Sequence, residues 1–223
     1  VDLTGDIKIV KTGNGETYEA KSVILSMGAA YREIGVPREQ ELSGHGVSWC
    51  ATCDGFFFRE KVIAVVGGGD SAMEEANFLT KFASKVYVIH RRDSLKASEI
   101  MQKRSFDNEK IEFIWNSAIT ELKGSPKLDG VVLEDTVTGE KRDLAIEGLF
   151  VAIGSDPRVS LIENQMEISK DRFIKVDGRT SKASLPGVFA AGDVIDPIYR
   201  QAITAAGSGC VAALDAEHYL SSK

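Results

Sequence analysis

The heptapeptide Val66-Gly67-Gly68-Gly69-Asp70-Ser71-Ala72 follows the apolar run Ile63-Ala64-Val65-Val66. It precedes a segment in which Ala72, Ala76, Leu79 and Ala83 recur at helical spacing, with Glu74, Glu75 and Lys81 off that stripe. A glycine-rich loop of the form G-x-G-x-x-A between a strand and a helix is a dinucleotide fingerprint. Gly67 allows the tight turn, Gly69 lets a pyrophosphate approach the backbone, and Ala72 lets the helix pack closely on the strand. The next apolar run, Lys85-Val86-Tyr87-Val88-Ile89, completes strand, helix and strand. Leu149-Phe150-Val151-Ala152-Ile153 and Val188-Phe189-Ala190-Ala191 are further continuous β-rich runs of the kind buried in parallel sheets. An α/β fold is therefore expected.

An acid that accepts hydrogen bonds from ribose hydroxyls ordinarily ends the second strand of an NAD site. Here the residues are His90-Arg91-Arg92, with Lys96 shortly after. Two guanidiniums at that position suit charge-assisted bonds to a 2′-phosphate, and a third cation adds to them, so NADPH is preferred over NADH. A solvated basic turn beside Asp93 is the plainer alternative.

Outward from this unit a pattern recurs. A turn at Thr12-Gly13-Asn14-Gly15-Glu16 leads to Ser22-Val23-Ile24-Leu25-Ser26-Met27-Gly28, and a turn at Thr138-Gly139-Glu140 leads to Gly148-Leu149-Phe150-Val151-Ala152-Ile153-Gly154. Gly13 and Gly139, like Gly28 and Gly154, are offset by 126 residues (139 − 13 and 154 − 28). Two copies of one domain plan are implied. A glycine loop equivalent to Gly67 falls before residue 1 (67 − 126 = −59), so the first domain is expected to lack its opening strand-helix-strand unit in these residues.

Cys50-Ala51-Thr52-Cys53-Asp54 is a C-x-x-C motif in a chain whose only other cysteine is Cys210. A zinc site needs four ligands, and His45, His90 and His218 offer no second paired motif, though zinc and two inert thiols stay as alternatives. In a redox role the spacing lets a disulfide close a small loop, and Asp54 is placed to protonate a leaving thiolate. Cys210 is expected to pack as a small apolar residue in a helix. NADPH delivers a hydride whereas a disulfide is reduced through thiolates, so a flavin between them is implied. Gly192-Asp193 after the Val188–Ala191 run offers a carboxylate for a flavin's polyhydroxyl chain. Arg200-Gln201-Ala202 leads to Ala205-Ala206-Gly207-Ser208-Gly209, which reads as a helix start with free N–H groups.

Composition sets outer bounds. Of 223 residues, 27 are Lys or Arg and 33 Asp or Glu, for a net charge of −6, which leaves no basic face for nucleic acid. The apolar runs are strand-length, too short to cross a bilayer, and residues 1–223 do not open on a basic stretch followed by an apolar core and a cleavage site. Three cysteines do not make a secreted disulfide framework, so a cytoplasmic location is expected.

Together, CATCDG at 50–55, GGGDSA at 67–72, HRRD at 90–93, AAGD at 190–193 and YRQA at 199–202 resemble the low-molecular-weight, bacterial type of thioredoxin reductase, and the resemblance spans essentially the whole chain. It implies an α/β architecture of two Rossmann-like, three-layer ββα nucleotide-binding domains. The NADPH domain, residues 34–155, carries the cysteine pair and is inserted into an FAD domain made of residues 1–33 and 156–223. It implies FAD and NADPH as cofactors, thioredoxin as partner, and a homodimer whose domains rotate against one another. By position, Cys50 would attack the thioredoxin disulfide, Cys53 would face the flavin, and Asp54 would be the acid. Gly67, Gly68, Gly69, Asp70, Ser71, Ala72, His90, Arg91, Arg92 and Lys96 would bind NADPH. Gly28, Gly154, Gly192, Asp193, Val194, Arg200, Gln201 and Ala202 would complete the cofactor contacts. Two departures stand out: the family's opening FAD-binding G-x-G-x-x-G unit is missing, and Ser26-Met27-Gly28 replaces the usual Ala-Thr-Gly. The alternatives are a peroxiredoxin-reducing flavoprotein, against which the arginines argue, and a non-catalytic NADP-binding fragment. A ferredoxin-type reductase needs no cysteine pair.

Overall fold

A computed structural model describes residues 1–223. The strands are β1 Lys8–Lys11, β2 Thr17–Ala20, β3 Val23–Leu25, β4 Ala29–Tyr31, β5 Val47–Ser48, β6 Val62–Val66 and β7 Lys85–Ile89. They continue with β8 Ile111–Ile114, β9 Ser117–Lys123, β10 Gly130–Asp135, β11 Lys141–Ala145, β12 Gly148–Val151, β13 Ser155–Pro157 and β14 Val188–Ala190. The helices are α1 Ala51–Asp54, α2 Asp70–Leu79, α3 Glu99–Phe106 and α4 Ala202–Ser221. The chain divides into two compact units, Val1–Ala30 with Ser155–Lys223, and Tyr31–Gly154.

The unit Tyr31–Gly154 is built on a five-stranded sheet of order β5-β12-β6-β7-β8, parallel throughout. Its strands are apolar without interruption because both faces are covered. Ile63, Val65, Val86, Val88 and Phe150 point toward Met73, Ala76 and Leu79 of α2. Their neighbours Ala64, Ile89, Leu149 and Val151 pack with Ile119, Leu122, Val131 and Leu133 of the antiparallel sheet β11-β10-β9. The period-two alternation of each strand thus supplies two separate cores, and the unit is a three-layer Rossmann-like fold. The stripe Ala72, Ala76, Leu79 and Ala83 is fully buried, but Ala83 lies beyond the end of α2.

A buried polar link ties α2 to α3. Asn77 Nδ2 donates to Met73 O (2.8 Å) and to Ser105 Oγ (2.6 Å), and Ser105 Oγ donates to Met101 O. Asn77→Ala strands the buried Ser105 hydroxyl without this donor and is expected to cost about 1–3 kcal/mol. Urea unfolding at unchanged m-value measures it.

In the other unit β3 and β14 pair in parallel, and β1 and β2 form an antiparallel hairpin. Phe189 packs with Ala212, Ala216 and Tyr219 of α4, while Val188 and Ala190 face Leu3, Leu25, Val159 and Ile162. Met27 joins the rim of that second cluster, so its thioether serves packing where the family's Thr would present a hydroxyl. Ile24 on β3, and Ile203 and Leu214 on α4, are exposed.

The repeated plan is visible as hairpin then parallel strand, β1-β2-β3 against β10-β11-β12. One detail differs from the sequence expectation. The glycines with positive φ in the two hairpin turns are Gly15 (+87°) and Gly139 (+77°), so the turns are offset by 124 residues (139 − 15). Gly28 (+68°) and Gly154 (+100°) keep the offset of 126 (154 − 28).

Candidate functional site

The glycine loop connects β6 to α2, and its close packing explains its composition. A methyl group at Gly67 would lie 2.4 Å from Ala152 O and 2.7 Å from Ala72 Cβ; one at Gly68 would lie 2.2 Å from the His90 ring. At Gly69 the same atom would meet nothing within 4 Å, so the open side of the loop is there. Gly69 is the N-cap of α2 and, with no side chain, offers no capping oxygen. The first backbone N–H groups of α2, at Asp70, Ser71 and Ala72, therefore face that open side with the helix's positive end behind them. This is a cradle fitted to a pyrophosphate.

His90 ends β7 and is buried, with its Nε2 3.0 Å from Ser94 O and its ring edge-on to Trp115. It fills the space under Gly68 and does not reach into solvent. Arg91, Arg92 and Lys96 are exposed, and the guanidiniums of Arg91 and Arg92 have no acidic partner in the chain. They fit a 2′-phosphate. Asp70 turns its carboxylate aside: Oδ1 accepts from Ser98 N (2.7 Å) and Ser98 Oγ (2.8 Å), and the Ser98 N–H, then its hydroxyl, hold the carboxyl below its ordinary value.

Cys50 and Cys53 form a disulfide with Cα atoms 5.3 Å apart. Cys50 is the N-cap of the single turn α1, and its Sγ accepts from Cys53 N (3.2 Å). Cys53 is exposed and Cys50 half-buried. Behind them Ser48, which no sequence signal singles out, is buried. Its Oγ accepts from Cys50 N (3.1 Å) and donates to Asp54 Oδ2 (2.7 Å), so one hydroxyl fixes both the pair and the acid. No group of three or more His, Cys, Asp or Glu side chains is placed to hold a metal ion.

In the unit Val1–Ala30 with Ser155–Lys223, Gly192 follows β14 with φ +79° and its N–H donates to Ser208 Oγ (2.9 Å). The half-buried Asp193 carboxylate has no hydrogen bond within the chain. Beside it a cleft of about 240 Å³ is lined by Gly192, Ile195, Asp196, Thr204, Ala205 and Ser208. An unpartnered carboxylate at a glycine turn fits a polyhydroxyl ligand such as the ribityl chain of FAD. Val194 is fully buried, which leaves only its backbone to meet a ligand.

Two sequence expectations are corrected here. Helix α4 begins at Ala202, not at Ala205, because Gln201 and Thr204 form a capping box and Ala205 N already donates to Gln201 O (2.9 Å). The N–H groups of Ala205–Gly209 are therefore spent inside the helix. Cys210 is exposed on α4 instead of packed within the core.

Asp196 shapes the preceding loop, accepting from Ile198 N, Tyr199 N and Arg200 N at 2.8–2.9 Å, which supports the positive φ of Arg200 (+48°). Burial raises its carboxyl, but those N–H groups and Thr204 outweigh it, and the net position is below the ordinary 3.8. A carboxyl lowered in the folded state stabilises above its unfolded value and loses that contribution as pH falls through the folded one. Amide-exchange protection at Ile198, Tyr199 and Arg200 is expected to fall below about pH 4, and this pH dependence to vanish in Asp196→Asn.

A Rossmann-like unit holding both a dinucleotide loop and an adjacent redox disulfide defines a nucleotide-dependent disulfide oxidoreductase. The chain belongs to the pyridine nucleotide-disulphide oxidoreductase family, whose model it matches over residues 2–209. Within that family, whose thioredoxin reductase branch uses FAD and NADPH, it is 57% identical over 220 residues to the thioredoxin reductase of Streptomyces clavuligerus, covering 99% of this chain and 68% of that one. It is 59% identical over 220 residues to that of Mycolicibacterium smegmatis, covering 99% and 70%. The structure of thioredoxin reductase from Streptococcus pyogenes superposes with a TM-score of 0.94 at 43% identity, covering 100% of this chain and 74% of that one. The chain thus spans about two thirds to three quarters of these relatives, and it is an FAD-dependent oxidoreductase of the thioredoxin reductase type.

Proposed function

We propose that this chain reduces the disulfide of thioredoxin with NADPH. The observation that carries the reading is the Cys50–Cys53 disulfide in the same compact unit as the glycine loop and its unpaired arginines. NADPH, a proton and a disulfide become NADP⁺ and two thiols, so two electrons pass to the Cys50–Cys53 bond and on to the substrate. FAD, when bound, accepts the hydride and hands its electron pair to a disulfide. The chain's own residues do the rest. Gly67–Ala72 seat the pyrophosphate, with the His90 ring under Gly68; Arg91, Arg92 and Lys96 hold the 2′-phosphate. Cys50 attacks the substrate disulfide, Cys53 resolves the mixed disulfide and takes electrons from the flavin side, and Asp54 supplies the proton to the leaving sulfur.

We assign residues 34–155 to the NADPH domain, and residues 1–33 with 156–223 to the FAD domain. Asp193, Arg200, Gln201 and Ala202 are assigned to FAD, with Gly28, Gly154, Gly192 and the Val194 backbone completing the cofactor contacts. A homodimer in the cytoplasm is part of the same reading. It is supported by the likeness to bacterial thioredoxin reductases, and no helix is long and apolar enough to cross a membrane. The test is an absorbance spectrum of the purified chain before and after anaerobic NADPH, followed by oxidised thioredoxin. A flavin band that bleaches and then recovers with thioredoxin supports the reading; NADPH binding without a flavin band assigns these residues to nucleotide binding alone.

A further inference from the structure

The segment that carries Arg91, Arg92 and Lys96 is fastened to the glycine loop at both ends. At its start the His90 ring fills the space under Gly68. At its end Lys96 N and Ala97 N donate to Gly68 O (2.7 and 3.1 Å), and Ser98 gives both its N–H and its hydroxyl to Asp70 Oδ1. Ser98 stands at the N-cap of α3, where a serine hydroxyl ordinarily accepts from its own helix. Here it makes no such bond. The cap is given up for a contact with a residue 28 positions earlier, the kind of departure from local preference that a functional constraint produces.

Asp70 poses the matching puzzle. It is the first residue of α2, a place where an acid is favoured by the helix dipole but where a phosphate must also sit. A carboxylate facing the phosphate would repel it. Its engagement by the two Ser98 donors keeps the charge aside and converts it into a tether.

We propose that Asp70 and Ser98 form a latch that fixes the basic loop Arg91–Lys96 relative to the glycine loop, making Asp70 a positioning residue for selectivity toward 2′-phosphorylated nucleotides. The inference rests on the NADPH reading of this site. The pyrophosphate and the 2′-phosphate belong to one adenosine moiety, so the ligand sets the distance between the two anion sites. A loop already held at that distance binds without an ordering cost, whereas an unlatched loop pays it only when the 2′-phosphate is engaged. Unlatching therefore penalises NADP⁺ and spares NAD⁺.

The experiment is calorimetric titration of the full chain with NADP⁺ and with NAD⁺. Asp70→Ala is expected to lower the ratio of NADP⁺ to NAD⁺ affinity by about tenfold, a ratio in which any change at the shared pyrophosphate seat cancels. Asp70→Asn keeps an oxygen able to accept both donors and should restore most of the selectivity. Ser98→Ala, which removes one bond at an exposed position, should give an intermediate loss of about threefold. Equal weakening of both nucleotides by Asp70→Ala, or an unchanged ratio in both Asp70→Ala and Ser98→Ala, overturns the latch. Arg91→Ala/Arg92→Ala in the same series separates the failures. If the arginine variant loses selectivity and the latch variants do not, the latch alone is wrong; if wild type does not discriminate the two nucleotides, the NADPH reading falls and the latch with it.

Discussion

Cys50→Ser in the FAD-loaded enzyme is expected to lower NADPH-driven reduction of thioredoxin by about 10⁴-fold or more, the scale of losing a covalent nucleophile. Nucleotide binding at Gly67–Ala72 should be unchanged, because the hydrogen bonds that join Cys50 to Ser48, Cys53 and Asp54 all lie outside that loop. The companion Cys53→Ser separates the two sulfurs. With Cys50 as the attacking thiolate, its sulfur bonds to one thioredoxin sulfur, the substrate S–S bond breaks, and the departing thiolate is protonated. With no Cys53 thiolate to attack Cys50 in turn, the mixed disulfide cannot resolve and should accumulate. Intact-mass spectrometry after mixing with oxidised thioredoxin reads this directly. Accumulation in Cys50→Ser and none in Cys53→Ser would reverse the assignment. That outcome matters because Cys53 is the more exposed of the two in this chain. Turnover surviving in both variants would remove the pair from the reaction.

The parallel sheet and its nucleotide loop were legible because their signals are local. A strand covered on both faces must be apolar at consecutive positions, as Val62–Val66 and Lys85–Ile89 nearly are, and a glycine loop that packs on Ala152 and His90 tolerates no side chain at Gly67 or Gly68. What escaped the sequence reading lies in tertiary pairing. Ser98 joins Asp70 across 28 residues, and nothing in the spacing of either marks the partner. Ser48 sits close to the cysteines in sequence, yet a serine two residues before a C-x-x-C motif is unremarkable until its hydroxyl is seen between Cys50 N and Asp54. The start of α4 does carry a local signal, since Gln201 and Thr204 stand at capping-box spacing, but the Ala/Gly/Ser-rich run from Ala205 masks it by resembling a helix start three residues later. The exposure of Cys210 had no local signal, since α4 is apolar or small around much of its circumference and periodicity does not choose its buried face.

Replacing both Arg91 and Arg92 by alanine is expected to erase most of the preference for NADPH over NADH. Hydrogen bonds to a charged partner are worth about 1.5–3 kcal/mol each, and two of them correspond to roughly 10²–10⁴-fold in the ratio of kcat/KM values. Both side chains are exposed, so solvent screening places the effect toward the lower end of that range. The two arginines have no acidic partners within the chain, which means that removing them breaks no internal ion pair, and stability should change little. The loss should fall on NADPH, with NADH nearly unaffected. Lysines at both positions should recover only part of it, since an ammonium supplies charge without the planar pair of donors that a phosphate face accepts. Salt gives an independent check. Wild-type preference should decline as ionic strength rises and the Debye length shrinks below about 10 Å, and the double alanine variant should lose that dependence. A double variant that still prefers NADPH by the wild-type factor would move 2′-phosphate recognition away from this loop.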